Sequence, residues 1–179
     1  MSDAPPPPPP GGTPPPPPPG GMPGGGAALP GPLATWGQRV IAALITGAIL
    51  FGAFIVIAII SAIFGAISDV LGALVGFVGY LAAFGAAIYF WFLDGETGGH
   101  PGKRLTGLKT VDANTGQVIG GGKGIARYFC HFVDGAICYI GYLFPLWDEK
   151  KQTIADKIMT TVVVADQPKK DFGPELFQK

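Results

Sequence analysis

The chain has 179 residues, of which 48% are hydrophobic and only 13% charged, and twelve Lys plus Arg balance twelve Asp plus Glu. Soluble domains carry about 25% charged residues, so this chain has too few charges to cover a water-facing surface. The neutral balance leaves no basic footprint for nucleic acid, and two cysteines cannot build a disulfide framework, so an integral membrane protein is expected.

Residues 1–33 form a Pro/Gly-rich tail, with proline runs at Pro5 to Pro10 and Pro14 to Pro19 and glycines from Gly20 to Gly26. Such a segment cannot bury a core and is expected to be disordered. Each run reads as a stiff polyproline II rod of about 19 Å, at about 3.1 Å per residue. The tail serves either as a ligand for an aromatic groove or as a spacer. It lacks the basic start and early apolar core of a signal peptide.

From Val40 to Ser68 no residue is Asp, Glu, Lys, Arg or His, and the same holds from Val70 to Leu93. About 20 apolar residues suffice to cross a bilayer, so transmembrane helices are expected over about 37–66 and 70–93. The short link around Ser68-Asp69 makes them an antiparallel hairpin. A polar loop, 94–123, follows. Leu105 to Val111 has β-forming residues, Asn114-Thr115-Gly116 signals a turn, and Gln117 to Ile119 is a candidate return strand. The TTVVV run at 160–164 is the strongest β signal, and a small cytoplasmic sheet is expected to join these pieces. Residues 166–179 read as a C-terminal tail.

The third apolar segment, 124–147, contains Arg127, His131 and Asp134. It reads as one span, or as a re-entrant or interfacial pair broken at Asp134-Gly135. Lys103, Arg104, Lys109 and Lys123 place the 94–123 loop, and with it the N-terminus, in the cytoplasm by the positive-inside rule. A single third span would put Lys150, Lys151 and Lys157 outside, so the membrane-embedded or interfacial reading is preferred.

On a helix at about 100° per residue, Arg127, Cys130, His131, Asp134 and Cys138 share one face. Ionisable residues within a membrane are costly, pair with one another and mark functional sites. The face offers an ion path, or a structural pairing of charge. A zinc reading of the same face lacks a ligand spacing. GGHPGKR is not a phosphate loop, because Thr97 stands where Gly is needed and Arg104 follows the lysine. No catalytic constellation stands out, so no enzyme activity and no cofactor are expected. Gly72, Gly76, Gly79 and Ala83 repeat small residues at the spacing that lets membrane helices approach closely, within the hairpin or against another subunit.

Three stretches carry a resemblance: WGQRVIAALITGAIL, GGHPGKRLTGLKTVDANTGQ and RYFCHFVDGAICYIGYLFPLWDEKKQTIADKIMTTVVV. Over about residues 34–165 they resemble the RDD family of bacterial membrane proteins, named for one arginine and two aspartates. On that match Arg39 is the family arginine and Asp134 the later aspartate. The earlier aspartate position, seven residues after the arginine, holds Thr46. Asp156 stands in the specific QTIADKIM stretch. The resemblance implies an integral membrane domain with a suggested role in transport. The tail on such a body resembles actinobacterial proteins of the proline-rich antigen type, small members of which accompany respiratory cytochrome supercomplexes. The expected function is therefore a non-catalytic accessory or assembly subunit in the cell membrane. Its expected partners are the lipid bilayer and other membrane subunits, with the respiratory supercomplex as a hypothesis, or a second copy of itself. The alternative is an oligomeric RDD-type ion or small-solute transporter.

Overall fold

A computed structural model describes residues 28–179; the two proline runs and the glycine stretch lie outside them. The element order is α1 (Trp36–Gly65), α2 (Asp69–Thr97), α3 (Pro101–Thr106), β1 (Lys109–Asp112), α4 (Gly121–Ala136), α5 (Ile140–Leu143), α6 (Ile154–Met159) and β2 (Thr161–Val164), with 3-10 turns at Phe144–Leu146 and Pro174–Phe177.

Two helices are long and apolar enough to cross a membrane, α1 and α2. Thr35 starts α1 with a capping box: its Oγ1 accepts from Gln38 N at 3.3 Å, and its own N–H donates to Gln38 Oε1 at 2.8 Å. Thirty residues make a helix of about 45 Å, longer than the bilayer's hydrocarbon core of about 30 Å. Leu44, Phe51, Ile63, Phe77 and Phe84 lie exposed along the pair, as a lipid solvent requires.

The two helices meet through missing side chains. A Cβ on Gly72 would lie 2.6 Å from Gly65 Cα, and one on Gly79 would lie 2.5 Å from Ile57 Cγ2. Gly76 sits as tightly against Ser61, whose hydroxyl donates to Gly72 O at 2.8 Å. The small-residue stripe therefore serves contact within the hairpin, with Ala83 half-buried at its end.

The polar loop differs from its expected shape. Pro101 at the first turn starts α3, and Gly107 in the left-handed region (φ 70°) ends it, so the strand begins only at Lys109. Gln117–Ile119 is not a strand. Its link to β1 is the bond from Asp112 N to Gln117 O, across a turn in which Asp112 Oδ1 accepts from Asn114 N and Thr115 N. β1 pairs antiparallel with β2, Lys109 opposite Val164 and Asp112 opposite Thr161. Leu33 bridges Val164 on the other side, which explains why all four residues of β2 are buried. Leu29 and Leu33 pack on Val111, Val162 and Val164, so the end of the presumed N-terminal tail belongs to the folded domain. The C-terminal tail docks as well: Arg104 Nη1 donates to the carbonyls of Glu175, Leu176 and Gln178, and Leu176 is fully buried.

The third apolar segment is a bent pair. Helix α4 meets the segment Ile140–Leu146 at 106°. The break falls at Ile137–Tyr139, three residues later than the expected Asp134-Gly135, where Cys138 (φ 55°) and Tyr139 (φ 61°) adopt left-handed backbone.

Candidate ionic junction

Three close backbone approaches assemble the site at the end of the hairpin where α1 begins and α2 finishes. A Cβ on Gly95 of α2 would lie 2.2 Å from Gly120 O, at the start of α4. One on Gly124 would lie 2.6 Å from Gly95 N, and one on Gly102 of α3 would strike Ala42 O of α1. Glu96 Oε1 accepts from Gly121 N at 2.8 Å, fixing the start of α4. With α2, α3 and α4 this close, the charged residues beside these glycines or one turn on meet.

They form a chain of five alternating charges. Lys103 Nζ donates to Asp94 Oδ1 and Oδ2 at 2.9 and 3.0 Å. Arg127 Nη1 donates to Asp94 Oδ2 at 3.3 Å, while its Nε and Nη2 donate to Asp156 Oδ1 at 2.8 and 2.6 Å. Arg39 Nη1 donates to Asp156 Oδ2 at 2.7 Å. Thr161 Oγ1 and Thr153 N also donate to Asp156, and Thr110 Oγ1 contacts Asp94. All four carboxylate oxygens therefore accept hydrogen bonds. Asp94 and Asp156 are fully buried, and Arg127 and Lys103 nearly so. One salt-bridge chain thus ties α3, α2, α4, α6 and α1 together.

The electrostatics follow from burial and pairing. Burial alone would raise the Asp156 pKa, but Arg127 and Arg39 hold it well below the ordinary carboxylate value. Burial pushes Lys103 down to about 8 despite the attraction of Asp94. Burial, reinforced by Lys103, pushes His100 down to about 3, so its ring is neutral at neutral pH. Gly102 N donates to Thr46 Oγ1 at 2.8 Å, and that oxygen lies 2.7 Å from His100 Nδ1. Thr46 Oγ1 thus sits between a backbone amide and the imidazole of His100.

The residues singled out from sequence separate into two groups. Arg39, Arg127 and Asp156 join the five-charge chain. His131 and Asp134 form a second pair, with Nδ1 and Oδ2 2.6 Å apart. Asp134 also accepts from Ile154 N and Ala155 N, so it caps α6, where the helix dipole favours negative charge. The His131 ring stacks on Tyr142, with centroids 5.3 Å apart. Arg127 and Asp134 are buried on one face of α4 as expected, but Cys138 lies beyond the helix end and is exposed. Asp94 and Lys103 were not singled out: one looked like the end of a span and the other like loop charge. Thr46, where the resemblance calls for an aspartate, lies within the site against His100.

Helices α1 and α4 each pack on α2 and frame a cleft of about 1350 Å³. Arg39, His100, Lys103, Arg127 and His131 form its polar end. Its walls are Ala43, Leu44, Gly47 and Phe51 on α1 and Phe129 and Phe132 on α4. Trp36 Nε1 donates to Tyr142 O at 2.9 Å and ties α1 to α5 beside it.

Residues 33–160 match the RDD family. The chain is 47% identical over 87 residues to a proline-rich antigen homolog of Mycobacterium tuberculosis, a match covering 47% of this chain and 36% of the relative. It is 52% identical over 73 residues to the proline-rich antigen of Mycobacterium leprae, covering 41% and 29%. The matched stretch is thus about a third of these relatives' length. No solved structure matches the chain.

Proposed function

The chain belongs to the RDD family of membrane proteins, and from that premise we propose that it is a non-catalytic accessory or assembly subunit of a larger complex in the cell membrane. The observation that carries this reading is the full engagement of the buried carboxylates: Asp94 and Asp156 already accept from cations on other elements. An ion path needs a titratable group free to load and release its ion. Here the charges hold α1, α2, α3, α4 and α6 in register, which suits a scaffold. The apolar faces of α1 and α2 supply the surface for neighbours, and the proline-rich segment supplies reach. A respiratory cytochrome supercomplex is the proposed partner. In this reading the helices cross the bilayer with the N-terminus and the 94–123 loop in the cytoplasm.

The test is a pull-down from native membranes in mild detergent through a tag after Lys179. Stoichiometric co-purification of a larger membrane complex is the expected result. Recovery of the chain alone, or only with copies of itself, overturns the proposal. A transporter is the second reading, favoured by the cleft with its cationic end. It requires ion or solute flux in vesicles that Asp134→Asn abolishes.

A further inference from the structure

We propose that the α1–α4 cleft is a binding site for one anionic phospholipid, with its phosphate on Arg39 and an acyl chain along α1. This goes beyond the subunit reading and stands on the cleft alone.

Three observations point to that occupant. First, the polar end holds unpartnered donors, and the five-charge chain carries one more cation than carboxylate, the neighbouring Asp134 being taken up by His131 and by the Ile154 and Ala155 amides. The five-charge chain has three cations, Arg39, Lys103 and Arg127, against two carboxylates. Arg39 uses Nη1 on Asp156, while its Nε and Nη2 are buried with no hydrogen-bond partner among the described residues. Buried donors of this kind are rare and costly, and a guanidinium edge with two free N–H groups matches two oxygens of a phosphate.

Second, the rest of the cleft is apolar and runs in one direction. From Val40 to Phe51 it follows α1 for about 17 Å at 1.5 Å per residue. The hydrocarbon core is about 30 Å thick, so one leaflet is about 15 Å deep. A groove of that length, starting at a cation where the helix leaves the apolar core, matches one lipid in one leaflet.

Third, the groove is carved by small residues on α1. A Cβ at Gly47 would have nothing within 4 Å, and Ala43 and Ala48 flank it on the cleft wall. Phe129 and Phe132 of α4, both exposed, face the same space. A polar solute would gain nothing from these walls, whereas an acyl chain would bury them.

The test is native mass spectrometry of the detergent-solubilised full chain, titrated with phosphatidylglycerol or phosphatidylcholine. One phosphatidylglycerol should bind, with about a tenfold preference over the zwitterionic lipid, equivalent to about 1.4 kcal/mol. Arg39→Gln should remove the preference, and Arg39→Lys should retain part of it. Gly47→Phe fills the groove without touching the ionic chain and should abolish retention of the lipid while the melting temperature stays unchanged. This variant decides the matter if Arg39→Gln fails to fold. Equal binding of the two lipids by the wild type, or unchanged retention in Gly47→Phe, overturns the proposal. So does a dimer mass that Gly47→Phe converts to monomer, because a second copy would then fill the cleft.

Discussion

The two ends of the α1–α2 hairpin are held together by opposite means. At the tip, Gly65 and Gly72 let backbone approach backbone, Gly76 and Gly79 admit the side chains of Ser61 and Ile57, and Ser61 adds one side-chain hydrogen bond near the turn. At the base, the same two helices are joined through side chains, by the buried chain Arg39–Asp156–Arg127–Asp94–Lys103. In lipid there is no hydrophobic force to bring apolar helices together, so the tip depends on close packing. The base is where α3, α4, α6 and the sheet add protein around the helices. That enclosure excludes solvent from the charges and makes their pairing compulsory. The tip is therefore sensitive to added volume, whereas the base is sensitive to an unpaired charge.

The largest effect should come from removing the central cation. Arg127→Leu leaves Asp94 with Lys103 and Asp156 with Arg39, each carboxylate short of a partner in a buried site. Breaking a buried ion pair on one side costs about 3–5 kcal/mol. Thermal unfolding in detergent should show that loss, and restoring wild-type stability by adding Asp156→Leu would contradict the shared-network account. A melting temperature unchanged in Arg127→Leu would show that the base is held by packing, like the tip.

A smaller effect should come from a single methyl group. Gly95→Ala places a Cβ 2.2 Å from Gly120 O, backbone that cannot rotate away. Separating α2 from α4 should cost about 1–3 kcal/mol and stretch the Arg127–Asp94 contact, already the longest in the chain at 3.3 Å. Gly52→Ala, with nothing within 4 Å of the added carbon, is the matched control and should be neutral or slightly stabilising. Equal destabilisation of both would contradict the close-approach account.

Much of the hairpin was legible because a bilayer imposes length and apolarity on the sequence itself. The expected spans, 37–66 and 70–93, differ from α1 and α2 mainly at the far end of α2, which runs on to Thr97. Asp94 looked like a terminator because a lone carboxylate after an apolar run normally leaves the membrane. Its partners, Lys103 and Arg127, reach it only through the folds at Gly95 and Gly102, which a linear pattern does not display. The Arg127, His131 and Asp134 face was legible from helical spacing, but spacing does not name partners on other elements: Arg127 reaches Asp94 and Asp156, while Asp134 pairs with His131 and caps α6. Asp156 drew attention through family resemblance alone. The expected return strand at 117–119, which does not form, and the unexpected helix at 101–106 share one cause. Short β-prone runs take their state from tertiary partners, and Leu33, rather than residue 118, occupies the free edge of β2.

The smallest effect at neutral pH should come from His100, and it sharpens the contrast by acidity. Its folded pKa, about 3, is lower than the unfolded value of 6.5. Between those values the unfolded chain binds the extra proton, so stability is fully present above pH 6.5 and falls as the pH drops toward 3. Asp156, also depressed, adds its own loss only below the ordinary carboxylate range near 3.8. His100→Gln keeps a side-chain amide beside Thr46 and cannot take up that proton. Melting profiles of the two proteins should coincide at pH 7.5, diverge from pH 6 downward with the wild type falling faster, and run parallel again below pH 3. A wild-type profile flat between pH 6.5 and 4 would mean that the base is open to water and that His100 titrates there at no cost. The tip, held by glycine contacts and one hydroxyl hydrogen bond, should retain its helical signal throughout.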